Sequence, residues 1–270
     1  MIASDQLSFN LVQQATIRER LSLYKGNDAK REATLKQLFI DAGCSSSSLV
    51  EQAIPQKKQP NLLCILPGTT EQTIVVGAHF DHVDRGDGIV DNWSGASLLP
   101  SFFQGLALQR QLRHTFIFAG FSGEEGGLYG SQFFIKHLEK SQRSRIEAMI
   151  NLDTLGLGPT KIWIGQSDPR LSNLLNSVAV TMKLPVGGME LNGAGYSDEE
   201  SFIHEKICTL MVHSLTSSTV SILHQPADNP SAIQFADYFD TYHLLAAYLA
   251  VLDSWDVPEG HVCTTKPVDK

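Results

Sequence analysis

Residues 73–80 read TIVVGAHF, an apolar run of strand length that closes on a histidine and a phenylalanine. Because the run is continuous rather than alternating, a strand made from it must be covered on both faces, as in a helix-flanked sheet. Working outward, Asn61–Leu66 (NLLCIL, stopped by Pro67-Gly68), Thr115–Phe121 (TFIFAGF), Ile146–Leu152 (IEAMINL) and residues 207–213 (ICTLMVH) read as further strands. Between them the spacing is helical. Leu35, Leu38, Phe39 and Ala42 form an apolar stripe within residues 28–43, which Gly43 terminates, and the serines of 45–48 make a loop. A helix is expected from about residue 93 to 112, kinked by Pro100 inside it. Others carry Tyr129, Phe133, Phe134 and Leu138, start at Asp168-Pro169 with Leu171, Leu174, Leu175 and Val178, or span about 232–254 with Leu244, Leu245, Tyr248, Leu249 and Leu252.

Strands alternating with helices imply an α/β fold, a mostly parallel mixed sheet with helices on both faces. Nothing in the composition divides the chain. At 270 residues and 42% hydrophobic content a single domain over 1–270 is expected, with an N-terminal helical segment of about 1–54 and a C-terminal tail of about 255–270. The formal charge of -8 and the scattered basic residues argue against nucleic acid or an anionic membrane as the main partner. Lys57-Lys58 and residues 140–145 read as solvated faces. Residues 1–25 show no basic segment followed by an apolar run, so neither a secretory signal nor a transmembrane helix is expected, and the expected compartment is the cytoplasm, with a secreted or periplasmic one as the alternative if a signal peptide lies outside this sequence. Cys44, Cys64, Cys208 and Cys263 are too few and too separated for a disulfide framework or a cysteine zinc site, and four free thiols are expected.

Five patches carry the chemistry: His79-Phe80-Asp81, Asp91-Asn92, Glu124-Glu125, Asp153 and His224. In a parallel sheet the working edge lies beyond the carboxyl ends of the strands. His79, Glu124, Glu125 and Asp153 each follow a separate strand at that end. A lone histidine there is usually structural, and Asp-Asn after a glycine-rich loop is by itself more often a turn. The adjacent Glu124-Glu125 pair and the charge of Asp153 after AMINL are harder to explain without a cation or donor nearby. Together the patches supply two imidazoles and three carboxylates suited to hard or borderline metal ions, with one glutamate left over to move protons.

The segments GAHFDH, DNWSGA, GFSGEEGGLYGS, NLDTLG, YSDEESF and LHQPADN, in that order, resemble the motifs of the metallopeptidases of family 28, the bacterial leucyl aminopeptidase type. The resemblance covers roughly residues 21–252. It implies a zinc-exopeptidase fold and two divalent ions, most readily zinc, with Asp91 bridging, His79 and Asp153 at one ion, and Glu125 and His224 at the other. It also implies Glu124 as general base, Asp81 as the partner of His79, and a cis peptide at Asp91-Asn92. Ser197 and Asp198 match a Ser-Asp pair of the family, whereas Glu199 stands where many members have histidine and Asn229 where threonine is common. Tyr196, Ser197 and Phe202, with Met189, are the expected lining of a pocket for a peptide with a free N-terminus. Two rivals are a glutaminyl cyclase using one zinc, which shares the fold, and a noncatalytic peptidase-like binding domain; the complete ligand set and Glu124 favour the peptidase.

Overall fold

The computed structural model describes residues 10–55, 57–109, 111–191, 195–255, 263–265 and 267. Two helices come first, α1 (Gln14–Ser22) and α2 (Asp28–Asp41), the second capped by Asn27, whose side chain accepts a hydrogen bond from the Lys30 N–H. Three strands follow, β1 (Leu49–Gln52), β2 (Asn61–Leu66) and β3 (Thr73–His79). A π-helical turn over Ile89–Trp93 leads into α3 (Ser94–Ala96) and α4 (Leu99–Ala107). Next come β4 (Thr115–Phe121), α5 (Tyr129–His137), α6 (Lys140–Arg143), β5 (Ile146–Leu152) and β6 (Lys161–Trp163). The order ends with α7 (Pro169–Met182), β7 (Gly187–Met189), α8 (Glu199–Ile203), β8 (Thr209–His213) and α9 (Phe235–Asp253).

The eight strands form one mixed sheet in the order β1-β2-β4-β3-β5-β8-β6-β7. Its centre, β4-β3-β5-β8, is parallel, with Val76 paired to Phe118 on one side and Ile150 on the other. β1 and β2 are antiparallel at one edge, and β6 runs antiparallel to β8 near the other. The parallel centre points its carboxyl ends to one rim.

β3 is buried on both faces, as its unbroken apolar run requires. Ile74, Val76 and Ala78 join the larger core with residues of α1, α2, α4, α7 and α9, whereas Val75 faces a smaller one with Phe134 of α5 and Phe202 of α8. Phe116 and Phe118 on β4 belong to the larger core, and Ala119 and Phe121 to the smaller. Each fully buried phenylalanine here contributes what its truncation to alanine would cost, about 3–5 kcal/mol.

Several expectations are corrected. The helix anticipated over 93–112 is broken, and Pro100 sits in the first turn of α4, where its missing N–H has no intrahelical partner to lose, so it kinks nothing. The segment up to residue 54 is not wholly helical: β1 lies within it, paired to β2. Residues 1–9 of that segment, and most of the tail from 256, lie outside the described residues. The four thiols are not free. Cys44 is bonded to Cys64 and Cys208 to Cys263, with Cα separations of 6.3 and 5.1 Å that suit a disulfide. Their partners are 20 and 55 residues apart, brought together by the packing of α2 on β2 and by the return of the tail to β8. Lys57 is not simply solvated, because its ammonium lies 4.2 Å over the Tyr129 ring. Among the described residues no helix is long and apolar enough to cross a membrane.

Candidate metal centre

The sheet rim gathers all five expected donors. His79 is the last residue of β3, Asp153 follows β5, and Glu124 and Glu125 lie in the loop between β4 and α5. Asp91 comes from the π-helical turn, and His224 from the loop before α9 with φ of 57°. Asp91 stands between two imidazoles: its Oδ1 is 3.3 Å from His79 Nε2 and its Oδ2 3.4 Å from His224 Nε2. Asp153 Oδ1 is 3.8 Å from His79 Nε2, while Glu125 Oε2 is 2.9 Å from His224 Nε2. The donors therefore divide into two trios that share Asp91, one oxygen to each. Glu124 points to the His79 side at 3.9 Å, away from its neighbour.

These residues fit a metal. His79 Nε2 and Glu125 Oε1 are buried and have no hydrogen-bond partner among the described residues, as expected of donor atoms reserved for an ion. Without cations the carboxylates are crowded. Burial, and then the charges of Asp198, Asp153 and Asp91, push Glu124 well above the usual carboxylate range. Burial and Asp91 push Glu125 up to about 7. His224 is held at about 9 by its contact with Asp91, and His79 is also raised, since the surrounding carboxylates outweigh its burial. Two or more positive charges placed here would relieve this repulsion.

The scaffold behind the donors is made of buried hydrogen bonds. Asp81 was expected to orient His79, but its carboxylate lies 3.7 Å from Nδ1, and the Asp81 backbone oxygen is closer at 3.2 Å. The strand ends at His79, so the alternation that would have aligned the two side chains stops there. Instead the Asp81 carboxylate accepts the N–H groups of Glu124 and Glu125 at 3.1 and 3.2 Å, clamping their loop. Burial opposes its ionisation, but His79 and these donors prevail and hold it below the usual range. The Asp91-Asn92 peptide is cis, as the resemblance implies. Asn92 donates to the Leu152 oxygen at 2.8 Å and accepts from Gly95 at 3.0 Å, which ties the turn to β5 beside Asp153. Gly95 is needed for this approach, because a Cβ there would collide with the Leu152 oxygen.

Two organising residues were missed in the sequence. Asp228 receives the N–H groups of Val90 and Asp91 at 2.8 and 3.1 Å, so the loop that carries His224 also grips the backbone of the bridging residue. Arg31 of α2, fully buried, donates to the backbone oxygens of Phe80, Asp87 and Gly88 and thereby holds the loop joining His79 to Asp91. The motif LHQPADN contains Asp228 and could have suggested it; nothing local marks Arg31 as anything but one more charge on a helix.

A cleft of about 730 Å³ opens on the donors. Tyr196 and Ser197 line it, as expected. Phe202 does not: it is fully buried and packs against Phe134 and Phe121, with ring centroids 5.9 and 6.2 Å away. Met189, in β7, is likewise not among the lining residues. Behind the wall Asn151 donates to Ser197 Oγ at 2.9 Å and to Glu199 Oε2 at 2.6 Å. Burial, reinforced by the charge of Asp153, pushes Glu199 up to about 8.

The sequence profile of peptidase family M28 matches residues 61–249. This chain belongs to peptidase family M28. A probable leucine aminopeptidase of Arthroderma otae is 28% identical to this M28 chain in an alignment 171 residues long that covers 54% of the chain and 45% of that relative. The matched stretch thus spans less than half of the relative. Among solved structures, the LapA aminopeptidase of Legionella pneumophila superposes with a TM-score of 0.77 at 21% identity, covering 91% of this chain and 72% of that one. A glutaminyl cyclase of an Acidobacteriales bacterium reaches 0.76 at 18% identity, covering 94% and 99%. At these identities the likeness is one of fold, shared by the peptidase and the cyclase alike.

Proposed function

We propose that this M28 chain is a metallo-aminopeptidase, its catalytic unit a single domain, that removes N-terminal residues from peptides with two zinc ions. One observation carries the reading: the two oxygens of Asp91 face two separate imidazoles, each imidazole accompanied by one further carboxylate. His79, Asp153 and Asp91 would hold one ion, and His224, Glu125 and Asp91 the other, a mixture of imidazole and carboxylate donors that suits zinc. Bound ions would supply Lewis-acid polarisation of the scissile carbonyl and lower the pKa of water.

Glu124 stays outside both trios and is left to move protons. In that position it can take a proton from the attacking water and return it to the leaving amine, so that no net proton is lost to solvent between the two steps. Asp81 keeps Glu124 in place through its backbone rather than by touching the substrate. Because structural disulfides persist in oxidising surroundings, an exported location now replaces the cytoplasm as the proposed compartment.

The cyclase remains the rival because its whole length superposes on this chain. Metal analysis together with a panel of aminoacyl amides and an N-terminal glutaminyl peptide separates the two. Two zinc ions per chain and release of free amino acids are expected. One zinc with release of ammonia and a cyclised N-terminus would replace this reading with the cyclase, and metal binding without either product would replace it with a binding domain.

A further inference from the structure

The cleft runs on well past the metal donors, between α5 and α8. The Glu124-Glu125 loop passes directly into α5 through hydrogen bonds from the Leu128 and Tyr129 N–H groups back to Glu124 and Gly123. Leu128, Gln132 and Lys136, four residues apart and so on one helical face, line the cleft in succession. On the opposite wall, residues of α8 and the turn after it, His204 and Glu205 among them, line the same cleft. The two walls are joined by Ser131 and Ser201, whose hydroxyls are 2.8 Å apart. At a rise of about 1.5 Å per residue, Lys136 lies roughly 12 Å beyond the loop end at Leu128.

Charge at this far end is uneven. On the α8 side Glu205 already has a cationic partner, its Oε2 3.5 Å from Arg143, and Glu200 Oε1 is 3.3 Å from His204 Nε2. Lys136 has no ion pair among the described residues; its ammonium reaches only the Gln132 amide oxygen, at 3.3 Å. An ammonium on the wall of a substrate cleft, with no carboxylate of its own, complements an anionic group of the occupant.

We propose that Lys136 forms a carboxylate subsite of the cleft, a specificity element that rests on the aminopeptidase reading. The carboxylate has two possible sources. An extended chain advances about 3.3–3.6 Å per residue, so three to four residues cover the 12 Å between the catalytic loop and Lys136, and the C-terminus of a short peptide arrives there. An N-terminal Asp or Glu side chain would present the same group but spans no more than about one residue's advance, so it meets Lys136 only in a substrate seated further along α5.

The test uses the zinc-loaded protein and two matched pairs, Leu-Gly-Gly against its C-terminal amide and aspartyl against asparaginyl anilide. The parent is expected to prefer the carboxylate member of one pair by about fivefold in kcat/KM, the upper range for an exposed ion pair. Lys136→Ala should remove that preference, Lys136→Glu should reverse it, and Lys136→Arg should keep it, with hydrolysis of leucyl amide unchanged in all three. Preference within the tripeptide pair assigns the subsite to the C-terminus, and within the anilide pair to the N-terminal side chain. Calorimetric binding of the tripeptide acid and amide to Glu124→Gln protein asks the same question without turnover. If the parent fails to hydrolyse any substrate yet still binds the acid more tightly through Lys136, the aminopeptidase reading fails and the subsite stands. Equal treatment of acid and amide, or a preference untouched in Lys136→Ala, overturns the subsite.

Discussion

Asp228 offers the sharpest test of how the centre is held together. Its carboxylate accepts two consecutive N–H groups, from Val90 at 2.8 Å and from the bridging Asp91 at 3.1 Å, and it is almost fully buried. Hydrogen bonds to a charged acceptor contribute about 1.5–3 kcal/mol each, so Asp228→Ala should cost at least ~3 kcal/mol of stability and leave two buried donors unsatisfied. The effect on metal should be as distinctive. Residues that orient metal ligands typically carry 10- to 100-fold in affinity, about 1.4–2.8 kcal/mol, and because Asp91 faces both imidazoles the loss should appear at both ions. Chelator-competition titration of zinc, read beside thermal unfolding with and without metal, measures the two quantities separately. Asn229→Ala is the control: Asn229 is half-buried, caps the short turn at Pro230–Ala232 and donates to the Pro226 oxygen without touching Val90 or Asp91, so it should cost about 1 kcal/mol and leave zinc affinity alone. If Asp228→Ala loses stability but binds both ions as tightly as the parent, Asp228 merely staples the loop and the link to the centre is refuted.

Glu124→Gln should keep two zinc ions and lose activity by about 10²- to 10⁴-fold, whereas Glu125→Gln should lose zinc affinity; the opposite pattern in metal analysis would exchange their roles. Thiol titration of unfolded, unreduced protein should find no free cysteine. By loop-closure entropy, removing the Cys44–Cys64 bond should cost about 3 kcal/mol and the longer Cys208–Cys263 loop about 4 kcal/mol in denaturant unfolding. His114 joins the start of β4 to the end of α9, with Nδ1 2.9 Å from the Asp253 backbone oxygen and Nε2 3.1 Å from Glu147. Burial works against its charge, but Asp253 and Glu147 raise its pKa above 6.5; Asp253 is itself lowered from 3.8, because His114 and the backbone donors outweigh its burial. The raised histidine therefore stabilises fully below pH 6.5 and loses its contribution as pH rises through the folded value; the lowered aspartate contributes above 3.8 and loses it in acid. His114→Gln should cost about 3 kcal/mol between those limits, and the difference from the parent should shrink in alkaline solution; a pH-independent difference would mean the histidine is neutral throughout.

How much of the site could be read early depends on how local each feature is. His79, Glu124, Glu125 and Asp153 were recognisable because each directly follows an apolar run, and a parallel sheet sends such positions to one rim. Asp91 and His224 come from loops, and their place rested on the family motifs. Phe202 was misplaced because an aromatic residue beside YSDEE looks the same whether it lines a pocket or fills the core. Its side was settled by the pairing of α8 with α5 against Phe121. The break between α3 and α4 was read only as a kink at Pro100 for a related reason: the apolar pattern continues across it, although the helix does not.

Read alone, the amino-acid sequence was enough to establish an α/β sheet, the strands that build its centre, and the donor types that gather at its rim. These follow from short-range properties, the length and continuity of an apolar run and the residue that ends it. Tertiary structure alone decided that each Asp91 oxygen faces a different imidazole, that Asp81 clamps the glutamate loop, that Asp228 and Arg31 hold the turns, and which cysteines meet. Those contacts join residues up to 138 positions apart, as between Val90 and Asp228. They depend on a strand order, β4-β3-β5-β8, that the chain reaches only by crossing over the sheet, and no local pattern records that order.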